Sequence, residues 1–147
     1  MSGTFEKIDV PPTLVSFAVT TDKVKNIVTP EFKAAGDRVI MMKARRDNDN
    51  LPETEDLLAM FDRVTDFMRK GKAVAAYAPG MGGVAEAVMK MAFGNGFGFE
   101  FDTALSLNEI FNYSYGTFVL EIADDLAAEE MLKGDDGIFC SVLPVGK

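Results

Sequence analysis

Tyr77-Ala78-Pro79-Gly80-Met81-Gly82-Gly83-Val84-Ala85-Glu86-Ala87-Val88 is the segment on which the reading of this chain turns. An apolar run, Ala73 to Ala78, breaks at Pro79, passes three glycines in four residues and enters a helical pattern. A strand, a glycine turn and a helix in that order place bare backbone amides at a helix N-terminus. From the residues alone the turn has two readings: it holds an anion, or it lets the helix pack close to a neighbour. It lacks the Lys-Ser/Thr of a P-loop and the spacing of a dinucleotide fingerprint.

Working outward, Leu57, Met60, Phe61, Val64, Phe67 and Met68 recur at helical spacing. With acids in its first turn and Arg69-Lys70-Gly71 at its end, this element is predicted as a helix over Glu53 to Lys70. Strands are predicted at Leu14–Thr20, Arg38–Met42, Lys72–Ala78, Phe97–Phe101, Thr117–Ile122 and Gly137–Leu143, from β-branched, aromatic or alternating content. Further helices are expected over Gly83–Phe93, Leu105–Phe111 with Ser106 near its cap, and Asp124–Lys133. A turn or short helix is expected from Thr29-Pro30 to Gly36, and a solvated loop over Lys43 to Asn50. The order predicts an α/β (α+β) fold: an open sheet of about six strands, mixed in direction, with helices packed on it. Residues 1–12 read as a stiff linker or lead-in ending in Pro11-Pro12, and 13–147 as one domain.

Composition restricts the chemistry. The 147 residues contain no histidine, so a Ser-His-Asp or Cys-His mechanism within this chain is impossible. With one cysteine, zinc would have Cys140 and carboxylates only, and no metal site is expected. A formal charge of -8 argues against nucleic acid. No apolar run approaches the roughly 18 residues of a membrane span. The lone Cys140, predicted as a buried inert thiol, fits a reducing cytoplasm. Glu86 either orients a ligand or complements its helix dipole, and Asp124, Asp125, Glu129 and Glu130 suit a solvated helix start. Asn112 to Thr117 forms a cleft loop or an ordinary turn. No catalytic residue is identified. On residues alone the chain reads as a binding or scaffolding domain.

Several segments resemble one family. Phe5-Glu6-Lys7-Ile8-Asp9-Val10-Pro11-Pro12-Thr13-Leu14-Val15-Ser16-Phe17-Ala18-Val19 is similar to the start of the AIR synthase-related C-terminal domain. The version it resembles is the second such domain of large, single-chain phosphoribosylformylglycinamidine synthases. Thr29 to Gly36, Gly82 to Ala87 and Phe111 to Gly116 agree in order and spacing. Met1-Ser2-Gly3 resembles the close of the preceding nucleotide-binding domain, so the resemblance implies an excised fragment.

For the parent, the resemblance implies a ligase of purine biosynthesis. ATP with Mg²⁺ activates formylglycinamide ribonucleotide, and ammonia from a glutaminase domain displaces oxygen to give the amidine. This domain would wall the cleft, bind no cofactor itself and be inactive alone, with neighbouring synthase and glutaminase domains as partners and self-association of the isolated chain expected. The cleft residues it implies are Gly80, Met81, Gly82, Gly83, Glu86, Ser114, Tyr115 and Gly116. Two departures point to a degenerate copy. Many relatives carry Ser-Asp-Gly-Gly where this chain has Gly80-Met81-Gly82-Gly83, and many carry an arginine where Thr117 stands. The alternatives are another member of the superfamily (aminoimidazole ribonucleotide synthase, selenophosphate synthetase or thiamine-phosphate kinase) and a self-standing module binding a small anion or a partner.

Overall fold

The computed structural model describes residues 3–102, 105–124, 127 and 140–146. The chain opens with a hairpin, β1 (Gly3–Phe5) and β2 (Ile8–Val10), closed by a two-residue turn with Glu6 at φ 53°. This hairpin occupies the segment expected to be a linker. A four-stranded sheet follows in the order β4-β5-β3-β6, built from β3 (Arg38–Ala44), β4 (Ala73–Tyr77), β5 (Thr117–Ile122) and β6 (Cys140–Gly146). Its ladders are antiparallel, and a parallel bridge between Thr29 and Ala75 sits on β4. The α/β class holds, with the six described strands divided between hairpin and sheet.

Both faces of the sheet are covered, which is why Val39-Ile40-Met41-Met42 is apolar without alternation. Ile40, Met42, Leu120 and Ile122 pack with Met60, Val64 and Phe67 of α1 (Thr54–Arg69). Val39, Met41 and Val119 pack with Val84, Ala87, Val88 and Met91 of α2 (Gly83–Phe93). A bulge between Ala73 and Ala75 sends these two alanines to opposite faces, although they are two residues apart. Helix α1 ends as its sequence demands. Gly71, at φ 70°, donates to the Met68 carbonyl and Lys72 to that of Phe67, closing the last turn.

Two predicted strands are absent. Leu14–Thr20 forms no strand; Leu14 is 97% and Phe17 88% exposed. Strand propensity records fit to a pleated, half-buried surface, and among the described residues no strand pairs with this segment. Phe97–Phe101 is likewise no strand, although its alternation is real. Phe97, Phe99 and Phe101 all pack towards the α2 face, and one bridge, Phe101 to Gly146, joins the segment to β6. The segment from Thr29-Pro30 to Gly36 turns as expected, with bends at residues 30–31 and 34 and a turn at 35–36, and a separate 3₁₀ turn precedes it over Val24–Asn26. Of the predicted Asp124–Lys133 helix only Asp124 and Ala127 are described, with Ala127 helical and buried. The final strand is described from Cys140 and continues to Gly146, three residues past its predicted end. The side chain of Cys140 lies outside the described residues.

Candidate functional site

Strand β4 delivers the chain to the glycine turn, and the turn's geometry follows from one close approach. Gly83 sits at φ 63°, and a Cβ there would lie 2.1 Å from the Asn112 carbonyl oxygen and 3.1 Å from that of Ile110. Only glycine accepts both the left-handed backbone and the contact. The neighbour it meets is the end of α3 (Leu107–Phe111), whose start is fixed by a capping box between Ser106 and Glu109. Beyond α3, the Ser114 amide donates to the Gly80 carbonyl at 3.0 Å. The fold therefore brings together the two segments singled out in the sequence, Gly80–Gly83 with Glu86 and Ser114–Gly116.

Within this assembly Glu86 is engaged internally. Its carboxylate accepts the Gly82 amide at 2.9 Å and the Lys90 ammonium at 2.5 Å. Lys90 also donates to the Tyr77 hydroxyl at 2.8 Å. The Lys90 hydrogen bond, then the Gly82 amide, holds the Glu86 carboxyl below the usual carboxylate range. The same carboxylate, with the Tyr77 hydroxyl second, raises the Lys90 ammonium above its ordinary value. One helix-start amide thus already faces a negative charge, and a phosphate arriving there would have to approach that charge. Met81 is exposed, as are Tyr113 and Tyr115, so the outer surface of the site is apolar and aromatic.

Three further residues shape this region, and sequence reasoning passed over them or gave them another role. Arg46, placed by sequence in a solvated loop, donates to the carbonyls of Tyr115 and Asn50 and so clamps the Ser114–Gly116 loop. Its neighbour Arg45 binds the buried Asp56 of α1 through Nε at 2.6 Å and Nη2 at 3.3 Å. A charged run seldom discloses which arginine has a fixed partner, because that depends on contacts across the fold. Thr117 is buried, and its Oγ1 has no hydrogen-bond partner among the described residues. Among the described residues no group of three or more Cys, Asp or Glu is placed to hold a metal ion.

No family model matches the chain. Over 144 aligned residues it is 26% identical to the phosphoribosylformylglycinamidine synthase subunit PurL of Limosilactobacillus fermentum, covering 86% of this chain and 19% of that protein. Its fold matches T. maritima PurL complexed with AMPPCP and with ATP, each at TM-score 0.65 and 14% identity, over 84% of this chain and 23% of the other. T. maritima PurL complexed with FGAR gives TM-score 0.65 at 11% identity, covering 84% of this chain and 26% of the other. Sequence and fold agree: the chain is similar to one segment of PurL. It spans about a fifth of the length of the curated PurL relative, 19%. No described helix is long and apolar enough to cross a membrane.

Proposed function

We propose that this chain is one domain of a cytoplasmic, amidine-forming ligase of purine biosynthesis, acting on formylglycinamide ribonucleotide with glutamine and ATP. The observation that carries the reading is the agreement of two independent comparisons: sequence identity over 86% of the chain and the fold both lead to PurL. Within that enzyme, residues 1–12 form the lead-in and 13–147 an AIR synthase-related C-terminal-type domain, the second of a single-chain parent. ATP and Mg²⁺ are held by other domains of the parent, and ammonia comes from its glutaminase domain.

The role assigned to this domain is a wall of the synthase cleft. Gly80–Gly83, Glu86 and Ser114–Gly116 form the surface turned to substrate or to a neighbouring domain. Three features favour a scaffold without its own catalysis: the lack of histidine, the internal pairing of Glu86 with Lys90, and Thr117 in place of a cation. A self-standing anion-binding module is disfavoured because Glu86 already occupies the Gly82 amide. The exposed apolar run Leu14, Val15, Phe17 and Val19 also suits a domain with neighbours, and in isolation it supports self-association.

The test is to recover the native polypeptide carrying this sequence from source cells with an antibody against residues 13–147. Its size and its conversion of formylglycinamide ribonucleotide with ATP and glutamine are then measured. The expected result is a band far above 16.0 kDa with synthase activity, while residues 1–147 alone turn over no substrate. A native band at 16.0 kDa without that activity would overturn the proposal.

A further inference from the structure

Val10 to Thr21 carries no charged residue, and among the described residues no strand pairs with Leu14–Thr20. In extended backbone Val15, Phe17 and Val19 fall on one side, and all three are exposed. The stretch is an apolar ridge with an 88% exposed phenylalanine at its centre. A chain of formal charge -8 repels its own copies, so two copies meet best through an uncharged surface of this kind.

The same chain carries a receptor of matching chemistry. A cavity of about 510 Å³ opens between the segments 32–39 and 97–100 and the end of β5. Phe32 and Phe99 stack at its wall, ring centroids 5.6 Å apart and 10° from parallel, and Phe97 and Val39 join them. The buried Glu121 accepts the Lys33 amide at 2.8 Å on both oxygens and the Ala34 amide at 3.1 Å. That carboxylate needs nothing from an occupant, so the surface left to one is mainly aromatic and aliphatic. Asp37 and Glu100 also line the cavity, which suits an occupant without acidic groups.

We propose that the segment around Phe17 of one copy docks in this cavity of a second copy, with the Phe17 ring against Phe97 and Phe99 and with Val15 and Val19 on the rim. The exchange is reciprocal, each copy giving its segment and receiving the other's, as a two-fold contact requires. Edge-to-face and offset packing of the entering ring on the stacked pair are favoured aromatic geometries. Val15, Phe17 and Val19 of both copies, with the walls they cover, come to roughly 1,100–2,000 Å². Stable interfaces bury roughly 1,200–2,000 Å². The tether of the segment favours a partner's cavity over the chain's own. Asp22, five residues after Phe17, binds Arg69 at 3.4 Å at the end of α1. Helix α1 covers one face of the sheet, whereas Phe32, Val39, Phe97 and Phe99 pack on the other. The contact rests on the self-association stated above and deepens it; the similarity to PurL does not depend on it.

The test is sedimentation equilibrium of the whole chain, of its Phe17→Ser and Gly98→Phe variants, and of an equimolar mixture of the two variants. Gly98 lies in the cavity wall with nothing within 4 Å of a built Cβ, so the new ring has room to fill the cavity. Each variant alone should associate about tenfold or more weakly than the parent chain. The mixture should associate more tightly than either variant, because one intact segment still meets one intact cavity. A peptide of residues 10–21 keeps the proposal testable if Gly98→Phe fails to fold. Added to the parent chain, it should compete with association and shift the NMR signals of amides 32–39 and 97–100, and its Phe17→Ser form should not. No gain on mixing, association of a folded Gly98→Phe equal to the parent's, peptide shifts mapping elsewhere, or a parent chain monomeric up to about 1 mM would overturn the contact. Shifts at the cavity caused by Phe17→Ser in a monomeric parent chain would mark occupancy by its own segment and would overturn it too. None of these results bears on the size or activity of the native polypeptide, which test the ligase assignment separately.

Discussion

Replacing Gly83 by alanine should be among the most damaging single-methyl changes in this chain, and the structure separates its two causes. The first is conformational. At φ 63° an L-residue is in the left-handed region, which costs roughly 1–2 kcal/mol. The second is steric. The new Cβ would lie 2.1 Å from the Asn112 carbonyl oxygen, so the loop after α3 must retreat by about an ångström to reach ordinary contact distance. That retreat strains the Ser114 to Gly80 hydrogen bond, worth about 1 kcal/mol net.

Together these terms put Gly83→Ala at about 2–4 kcal/mol of lost stability. Gly71→Ala provides the control, because Gly71 has φ 70° but nothing within 4 Å of a built Cβ. It should lose only the conformational part, about 1–2 kcal/mol. Urea unfolding of the two variants, followed by circular dichroism, gives the difference directly. If Gly83→Ala loses no more than Gly71→Ala, the close packing of the glycine turn on α3 is not what fixes this site.

Thr117→Val removes a buried hydroxyl without a partner while keeping the shape, so it should leave stability unchanged or raise it by about 1 kcal/mol; a loss above that size in urea unfolding would contradict the unpaired assignment. For Glu121, the folded carboxyl lies above its ordinary value of 4.5, so its contribution to stability is full below that value and is lost as pH rises through the folded value. The stability difference between Glu121→Gln and the parent chain should therefore shift in favour of the variant as pH is raised from 4 towards 7, and a difference flat with pH would refute the raised value. Phe17→Ser should weaken self-association of the isolated chain by about tenfold or more, measured by sedimentation equilibrium, since an 88% exposed phenylalanine is worth about 1.5–3 kcal/mol when covered. A chain that stays monomeric at every concentration would exclude that surface as an interface.

Periodicity and punctuation disclosed the regular elements in the middle of the chain. Helix α1 was legible because its apolar stripe, acidic start and Gly71 stop all agree, and α2 because the glycines set its beginning. Strand β3 was legible as an apolar run, although only the fold shows that its alternate residues face two different helices. At the candidate site, sequence marked both segments but not their contact. The approach of Gly83 to Asn112 joins positions 29 residues apart, and no local pattern encodes it.

Composition by itself restricted the chemistry: without histidine this chain has no imidazole of its own, and its acidic balance argues against nucleic acid as a partner. Local pattern determined where helices begin and end, because caps, glycine stops and apolar stripes act within a few residues. Tertiary structure alone decided the fate of Leu14–Thr20 and Phe97–Phe101, since a strand exists only when another strand completes its hydrogen bonds. It also decided that Glu86 pairs inward with Lys90, that Arg46 clamps the loop beside the glycine turn, and that the buried Glu121 accepts the Lys33 and Ala34 amides. Charge and shape at these positions depend on which distant backbone and side chains fold against them, and one-dimensional order does not carry that information.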